Sequence, residues 1–282
     1  AAGFIPRFVD IELETLNINP ALIEPALSNQ TAAIMVVHNM GKPAKMDEIH
    51  GIARAHGIPV IEDCCEAHGA GYKGKPVGKA SSFSTFSFYS AHLIVGGEGG
   101  MVGVQDPDLA KVIRSVISHG RPSGSIYFDF QRFGLILLMH ELAAAIAREG
   151  LGVFDDTFQI RRFNLFHLLE QTACLGERVH FIKEEPHEVI APHAFPLVLR
   201  EDDEEWAGRL YRYLEGRGIQ TKTLFGCLPG HQAFEWMKIN PEDFPVASHV
   251  DRNGMHFGVH QYLSVEDLDY AARVLTEFFE GE

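Results

Sequence analysis

Along the first half of the chain, short β-type runs alternate with helical spacings of apolar residues. This is the signature of strands joined by crossover helices in a mostly parallel sheet. Phe8-Val9 reads as the end of a strand. Asn19-Pro20 opens a helix, with Asn as N-cap and Pro in the first turn, where its missing N–H is not needed. Ala32 to Val37 is a continuous apolar run, as expected for a strand covered on both faces. Met46 to Ala55 has helical spacing and Gly57 stops it; Pro59-Val60-Ile61 is the next buried strand and ends on Glu62-Asp63. Ser84 to Phe88 and Met101 to Val104 are two further strands. Asp106-Pro107 caps an amphipathic helix whose apolar residues Leu109, Val112, Ile113, Val116 and Ile117 fall on one face.

The spacing predicts helices over Leu137 to Arg148 and Phe158 to Leu175, the second long enough to act as a connector. After Pro186 the pattern changes. A strand, Ala194 to Leu199, precedes the acidic run Glu201-Asp202-Asp203-Glu204-Glu205, which suits a helix N-terminus because the helix dipole favours negative charge there. That helix runs to Glu215 and stops at Gly216 and Gly218. Ser264-Val265-Glu266-Asp267 resembles a capping box opening a last helix to Phe279. The change of pattern places a domain boundary near residue 153, dividing the chain into 1–152, a large α/β domain, and 153–282, a connector helix and a small α+β domain.

Composition narrows the partners. The 282 residues carry 24 Lys plus Arg against 38 Asp plus Glu, a formal net charge of −14. An acidic chain lacks the basic face that displaces counterions from nucleic acid, so nucleic-acid partners are excluded. A phosphorylated small molecule is not, since backbone amides and a few side chains can hold one. Cys64, Cys65, Cys174 and Cys227 show no CxxC pair and no zinc spacing, which argues for no metal and for a reduced compartment. Ala1-Ala2-Gly3-Phe4 has no export-signal pattern, and Leu135 to Ala147, broken by His140 and Glu141, is too short to span a bilayer. The expectation is a cytoplasmic protein with no membrane partner.

Ligands of open α/β sheets sit at the carboxyl ends of the strands. Asp63 lies at such an end, as does the segment after Phe88, and the interval from Asp63 to His92 suits one loop and one returning strand. Asp63, Ser87 and His92 can therefore meet in one cleft. Taken singly, each has a plainer reading: a loop cap, a strand residue and a packed histidine.

The surrounding text favours the cleft. Ile61-Glu62-Asp63-Cys64-Cys65-Glu66-Ala67-His68-Gly69-Ala70, Gly74-Lys75-Pro76-Val77-Gly78, Ser84-Thr85-Phe86-Ser87-Phe88-Tyr89-Ser90-Ala91-His92 and Gly97-Glu98-Gly99-Gly100 together resemble the DegT/DnrJ/EryC1/StrS family of vitamin B6-dependent sugar enzymes. Ser118-His119-Gly120, Thr221-Lys222-Thr223-Leu224-Phe225-Gly226 and Gly258-Val259-His260-Gln261-Tyr262-Leu263-Ser264 extend the resemblance over most of the chain. It implies a fold-type-I PLP-dependent transferase-like architecture, with active sites at a homodimer interface. Asp63 then matches the carboxylate that pairs with the pyridine nitrogen of pyridoxal phosphate (PLP) or pyridoxamine phosphate (PMP). Glu66 matches the position near the ring and its phenolic oxygen, and Ser87 a hydroxyl on the cofactor phosphate.

At the family's lysine position stands His92, and an imidazole cannot form the Schiff base that transamination uses. This resembles the branch of 4-keto-6-deoxy sugar-nucleotide 3-dehydratases. There PMP is freely bound, and the histidine takes a proton from the coenzyme and helps the C3 hydroxyl of the sugar leave as water. The cysteine spacing does not suggest the iron–sulfur cluster that some members carry. His119, Lys222 and His260 lie in family-like motifs and are candidate substrate contacts. Two departures accompany the resemblance. The family's opening strand–helix portion has no counterpart, and Ile136 of Arg132-Phe133-Gly134-Leu135-Ile136 replaces an Asn that reaches a phosphate of the neighbouring subunit. Leu135 to Met139 can instead pack as a helix or as interface core. An aminotransferase using another lysine, and a non-catalytic relative that keeps the fold and a dimer interface, are the alternatives.

Overall fold

The computed structural model describes residues 3–122 and 124–281. Ala1 and Ala2, which open the segment read for an export signal, lie outside the described residues. The N-terminal segment is extended without strand pairing at Phe8-Val9, in contrast to the strand expected there. Its fixed point is the buried carboxylate of Asp10, which accepts the N–H groups of Val246 and Ala247, both at 2.9 Å. These are two of the unpaired first-turn amides of a helix more than two hundred residues away, so a cap takes the place of a β ladder. Asn19 accepts Ala21 N–H at 3.0 Å and opens a 3₁₀ turn (Pro20–Leu22) that continues into α1 (Ile23–Ala26).

The first sheet orders its strands β1 (Ile34–Val37), β2 (Val60–Asp63), β5 (Phe83–Ser87) and β6 (Gly100–Val104). The first three are parallel and β6 is antiparallel to β5. The crossover between β1 and β2 is α2 (Met46–His56), ended by Gly57 in the left-handed conformation. Ile34 and Val36 pack on Ile49 and Ala53 of this helix. The opposite face of β1 is open, contrary to the expected double cover: Met35 and Val37 are exposed, as is Val102 on the same face of β6. No element among the described residues packs there. Between β2 and β5 the chain makes β3 (Gly71–Tyr72) and β4 (Lys75–Pro76), and β3 pairs with β8 (Glu188–Val189).

After β6, Asp106 caps α3 (Pro107–Val116) as expected. The helix expected from Leu137 begins at Glu141 instead, because His140 supplies the N-cap by accepting Leu142 N–H. Leu135 and Leu137 spend their amides on Val116 and Ile117 carbonyls, which holds them extended rather than helical. Leu135 to Leu138 are all exposed. From α4 (Glu141–Gly152) the chain passes into α5 (Phe154–Gln171).

The second sheet orders β10 (Thr221–Thr223), β11 (Gly254–Gly258), β9 (Ala194–Leu199) and β7 (Val179–Phe181), all antiparallel. Every residue of β9 is buried, and Phe195, Leu197 and Leu199 anchor the largest apolar cluster with Leu165 and Leu168 of α5. Around it stand α6 (Glu204–Glu215), α7 (Pro245–Asn253) and α8 (Val265–Glu280). Each such fully buried side chain contributes about 1.5–3 kcal/mol. Asp203 caps α6, and Ser264 and Asp267 form a reciprocal capping box at α8. Ser264→Ala is expected to lower stability by about 1 kcal/mol in urea unfolding, since the first-turn amide of Asp267 loses its acceptor; an unchanged midpoint would contradict that role. Among the described residues no helix is long and apolar enough to cross a membrane.

Candidate active site

Parallel pairing of β2 with β5 brings Asp63 level with Thr85, so both strands end on one edge of the sheet. Asp63 closes β2, and one carboxylate oxygen accepts Cys65 N–H at 3.0 Å. Ser87 closes β5, and its hydroxyl oxygen accepts Tyr89 N–H at 3.2 Å. The chain then turns back so that His92 N–H reaches Tyr89 C=O at 3.0 Å. His92 is half-buried; its Nδ1 is shielded from solvent and has no partner. Burial lowers its pKa, Asp63 opposes that, and the Arg161 charge adds to it. Asp63, Ser87 and His92 thus share the strand-end edge anticipated from the sequence.

Glu66 sits on the loop after β2. One of its oxygens accepts Met40 N–H at 2.8 Å, and the other lies 3.5 Å from His193 Nε2. Burial raises its pKa to about 7, against the Met40 bond, and Asp63 adds to the rise. Met40 has φ 55°, and Gly41 beside it leaves no room for a side chain, since a Cβ would lie 1.7 Å from Ala191 O. The Met40 amide is therefore held toward Glu66 by close backbone packing.

His92 belongs to a file of imidazoles. Ring centroids are 6.0 Å apart for His68 and His92, 5.5 Å for His92 and His193, and 6.4 Å for His193 and His256. Burial depresses His68 to about 4, with His92 adding to the effect. His193 falls to about 3 through burial, with His92, His256, Arg161 and Lys222 repelling a further proton. His256 falls to about 4 through burial and Lys222.

A group whose folded pKa lies below its unfolded value gives stability above the unfolded value and loses it as pH falls. Three imidazoles bring a loss on acidification from about pH 6.5 toward about pH 4. Glu66, raised rather than lowered, acts with the opposite sign between its ordinary value of 4.5 and about 7. Urea unfolding of the cofactor-free protein should show falling stability on acidification across that window, since the depressed imidazoles outnumber the one raised carboxyl. The fall should steepen in Glu66→Gln; a flat profile would contradict the burial of neutral imidazoles.

Lys222 and His260 fall in this neighbourhood. Lys222 is exposed and pairs in register with His256 across β10 and β11, and the charge of Arg161 bears on His260. His119 does not join them. It is a turn residue at φ 60° whose N–H bonds Leu135 C=O at 2.9 Å, and its place is set by local packing of residues 118–120 against 132–137. Sequence reasoning missed Met40, Arg161, His193 and His256. A lone histidine next to a buried strand gave His193 away only weakly. His38, Glu62 and Cys64 bring ligand atoms within 4.8 Å of one another. His38 is already used there, taking Ala44 N–H on Nδ1 and meeting Glu62 through Nε2 at 2.9 Å, which suits a structural tie.

The family model for the DegT/DnrJ/EryC1/StrS aminotransferase family matches residues 1–276. The chain belongs to that family. Among DegT/DnrJ/EryC1/StrS relatives, it is 31% identical to dTDP-4-dehydro-2,6-dideoxy-D-glucose 3-dehydratase of Saccharopolyspora spinosa, over 98% of this chain and 65% of the relative. It is 30% identical to GDP-perosamine synthase of Caulobacter vibrioides, over 98% of this chain and 73% of that protein. The solved structure of E. coli GDP-4-keto-6-deoxy-D-mannose-3-dehydratase with bound hydrated PLP superposes with a TM-score of 0.85 at 25% identity, covering 95% of this chain and 73% of that one. The chain therefore spans about two thirds to three quarters of the length of these relatives. The fold is the α/β, fold-type-I arrangement of the family, as the sequence implied.

Proposed function

We propose that the protein carries out the 3-dehydration of a nucleotide-linked 4-keto-6-deoxy hexose with PMP as cofactor, as a step of deoxysugar biosynthesis for O-antigen lipopolysaccharide or a secondary metabolite. The observation that carries this reading is His92, with its unpartnered, buried Nδ1, at the position where the family resemblance expects the Schiff-base lysine. The similarity to a 3-dehydratase supports it.

The residues on the strand-end edge suit a phosphorylated pyridine. Asp63 has one oxygen engaged by Cys65 and a second available for a ring N–H. Ser87 has a hydroxyl proton to give to a phosphate oxygen while it accepts Tyr89 N–H. Glu66, fixed by Met40 and near neutrality in its charge, can hold or release a proton beside the ring. When bound, PMP supplies an amine for the C4 ketone and a ring that takes up electron density. The rest falls to the chain. His92 stays neutral near pH 7 because burial disfavours its charged form, so Nδ1 can take up a proton and return it to the departing C3 hydroxyl.

In this reading residues 1–152 form the cofactor domain and 153–282 the connector and small domain. A second copy completes a homodimer over the exposed apolar segment that includes Phe128, Phe133, Ile136 and Leu138. Such a protein would work in the cytoplasm. The second reading, an aminotransferase, has the resemblance to GDP-perosamine synthase in its favour. Borohydride reduction of the PLP-loaded protein separates the two. Recovery of PLP free after denaturation is expected, whereas a peptide with PLP fixed to a lysine would overturn the dehydratase reading.

A further inference from the structure

Two consecutive arginines on α5 are treated differently by the fold. Arg162 forks onto Glu184, with Nη1 to Oε2 at 2.5 Å and Nη2 to Oε1 at 2.9 Å, and also reaches Ile190 C=O at 2.8 Å. Arg161 is 6% exposed, yet its side chain makes one bond, from Nε to Gln261 Oε1 at 3.3 Å, and no ion pair among the described residues. A guanidinium cannot shed its charge, and an unpaired buried charge is among the costliest groups a fold can carry. The bond to Gln261 uses Nε and leaves the planar Nη1–Nη2 edge free, the edge that matches an oxyanion in bidentate fashion.

What surrounds Arg161 also asks for an anion. Asn164, on the next turn of α5, donates to Val259 C=O at 3.3 Å and His260 C=O at 3.1 Å, pinning the helix to the 259–261 loop. Arg161 bears electrostatically on His92, His193 and His260, and Lys222 bears on His193 and His256. His193 Nδ1 is buried without a partner. Of the carboxylates that act on these groups, Glu66 is committed to Met40 N–H and His193, Asp63 accepts Cys65 N–H and acts on His92, and Asp267 is held in the capping box of α8 and acts on His260. A chain of net charge −14 thus gathers a lysine and several imidazoles around a buried guanidinium that has no ion-pair partner among the described residues.

We infer that Arg161, assisted by Lys222 and His193, forms an oxyanion subsite for a phosphate-type group, filled by the diphosphate of the nucleotide-linked substrate. The assignment to substrate rests on the function proposed above. There Ser87 meets the monophosphate of the cofactor, which leaves the diphosphate for Arg161.

Calorimetry with a nucleoside diphosphate and, separately, with PMP tests the subsite in wild type, Arg161→Met and Arg161→Lys. The methionine variant should weaken nucleoside diphosphate binding by about tenfold or more, with PMP affinity kept within about twofold and part of the loss restored by lysine. Weaker PMP binding with unchanged nucleoside diphosphate binding would move the subsite to the cofactor phosphate and overturn the assignment to substrate. Unchanged binding of both, or no nucleoside diphosphate binding by wild type, would overturn the subsite itself. Should the variants fail to fold, imidazole NMR of wild type decides the same question. Saturating pyrophosphate should raise the titration midpoints of His193 and His260 by neutralising Arg161, and unmoved midpoints would overturn the subsite. Dehydration of the keto sugar with an unchanged KM in Arg161→Met would sink the subsite and leave the reaction standing. Arg161-dependent diphosphate binding without any dehydration would do the reverse.

Discussion

His92→Asn is expected to cut turnover of a nucleotide-linked 4-keto-6-deoxy hexose by about 10²–10⁴-fold while leaving PMP binding nearly intact. Asparagine keeps a polar group of similar reach on the turn after β5 but cannot take up a proton near neutral pH. The turn itself is set by backbone bonds, His92 N–H to Tyr89 C=O at 3.0 Å and Gly96 N–H to Phe88 C=O at 2.7 Å, so the substitution should not unfold it. The cofactor contacts assigned to Asp63, Glu66 and Ser87 do not pass through His92. Steady-state turnover with a parallel PMP titration checks both halves. Equal turnover in wild type and variant would refute the role given to His92.

Glu188→Gln is expected to be the most destabilising single change discussed, at about 3–5 kcal/mol. Lys42 and Glu188 pair with side chains only 2% and 3% exposed, and Lys42 also donates to Lys183 C=O. Removing the negative charge leaves a buried ammonium with only neutral acceptors. Glu188 Oε2 also accepts Glu185 N–H at 3.0 Å, a bond that the glutamine carbonyl can keep, so the expected loss is that of the charge. Lys42 follows Met40 and Gly41 directly, and the damage should spread to the amide that holds Glu66. Replacing both partners by apolar residues, Lys42→Met with Glu188→Leu, should recover most of the loss, because a buried ion pair stabilises little beyond satisfying its own charges. Urea unfolding of the two variants checks this; a single variant within about 1 kcal/mol of wild type would contradict it.

The sequence made the first sheet and its strand-end edge legible because parallel strands advertise themselves as apolar runs ending in polar residues. The same logic put Asp63, Ser87 and His92 within reach of one cleft, and the family resemblance favoured that over the plainer readings of each. Capping was equally legible: Asn19, Asp106, Asp203 and Ser264 all accept the amides their types suggest. What the local pattern concealed came from distant segments. Met40 N–H, His193 and Arg161 reach the neighbourhood of His92 from before β2, from β9's leading edge and from α5, and nothing in their own windows marks them. Phe8-Val9 resembled a strand because apolar residues suit strands, yet the pairing partner was a helix N-terminus bound through Asp10. Leu137 to His140 carried helical spacing, but their backbone was claimed by the carbonyl of Ile117 and the cap at His140. Met35 and Val37 show that an apolar run fixes a strand without fixing how many of its faces are covered.

The most direct test of the central claim is mass spectrometry of the product. The protein, loaded with PMP, is incubated with a nucleotide-linked 4-keto-6-deoxy hexose in labelled water. The expected product is a 4-keto sugar nucleotide that has lost its C3 oxygen and gained solvent hydrogen at C3, with PMP converted to PLP and one ammonia released per turnover. A product that keeps the C3 oxygen and carries an amine at C4 would contradict it.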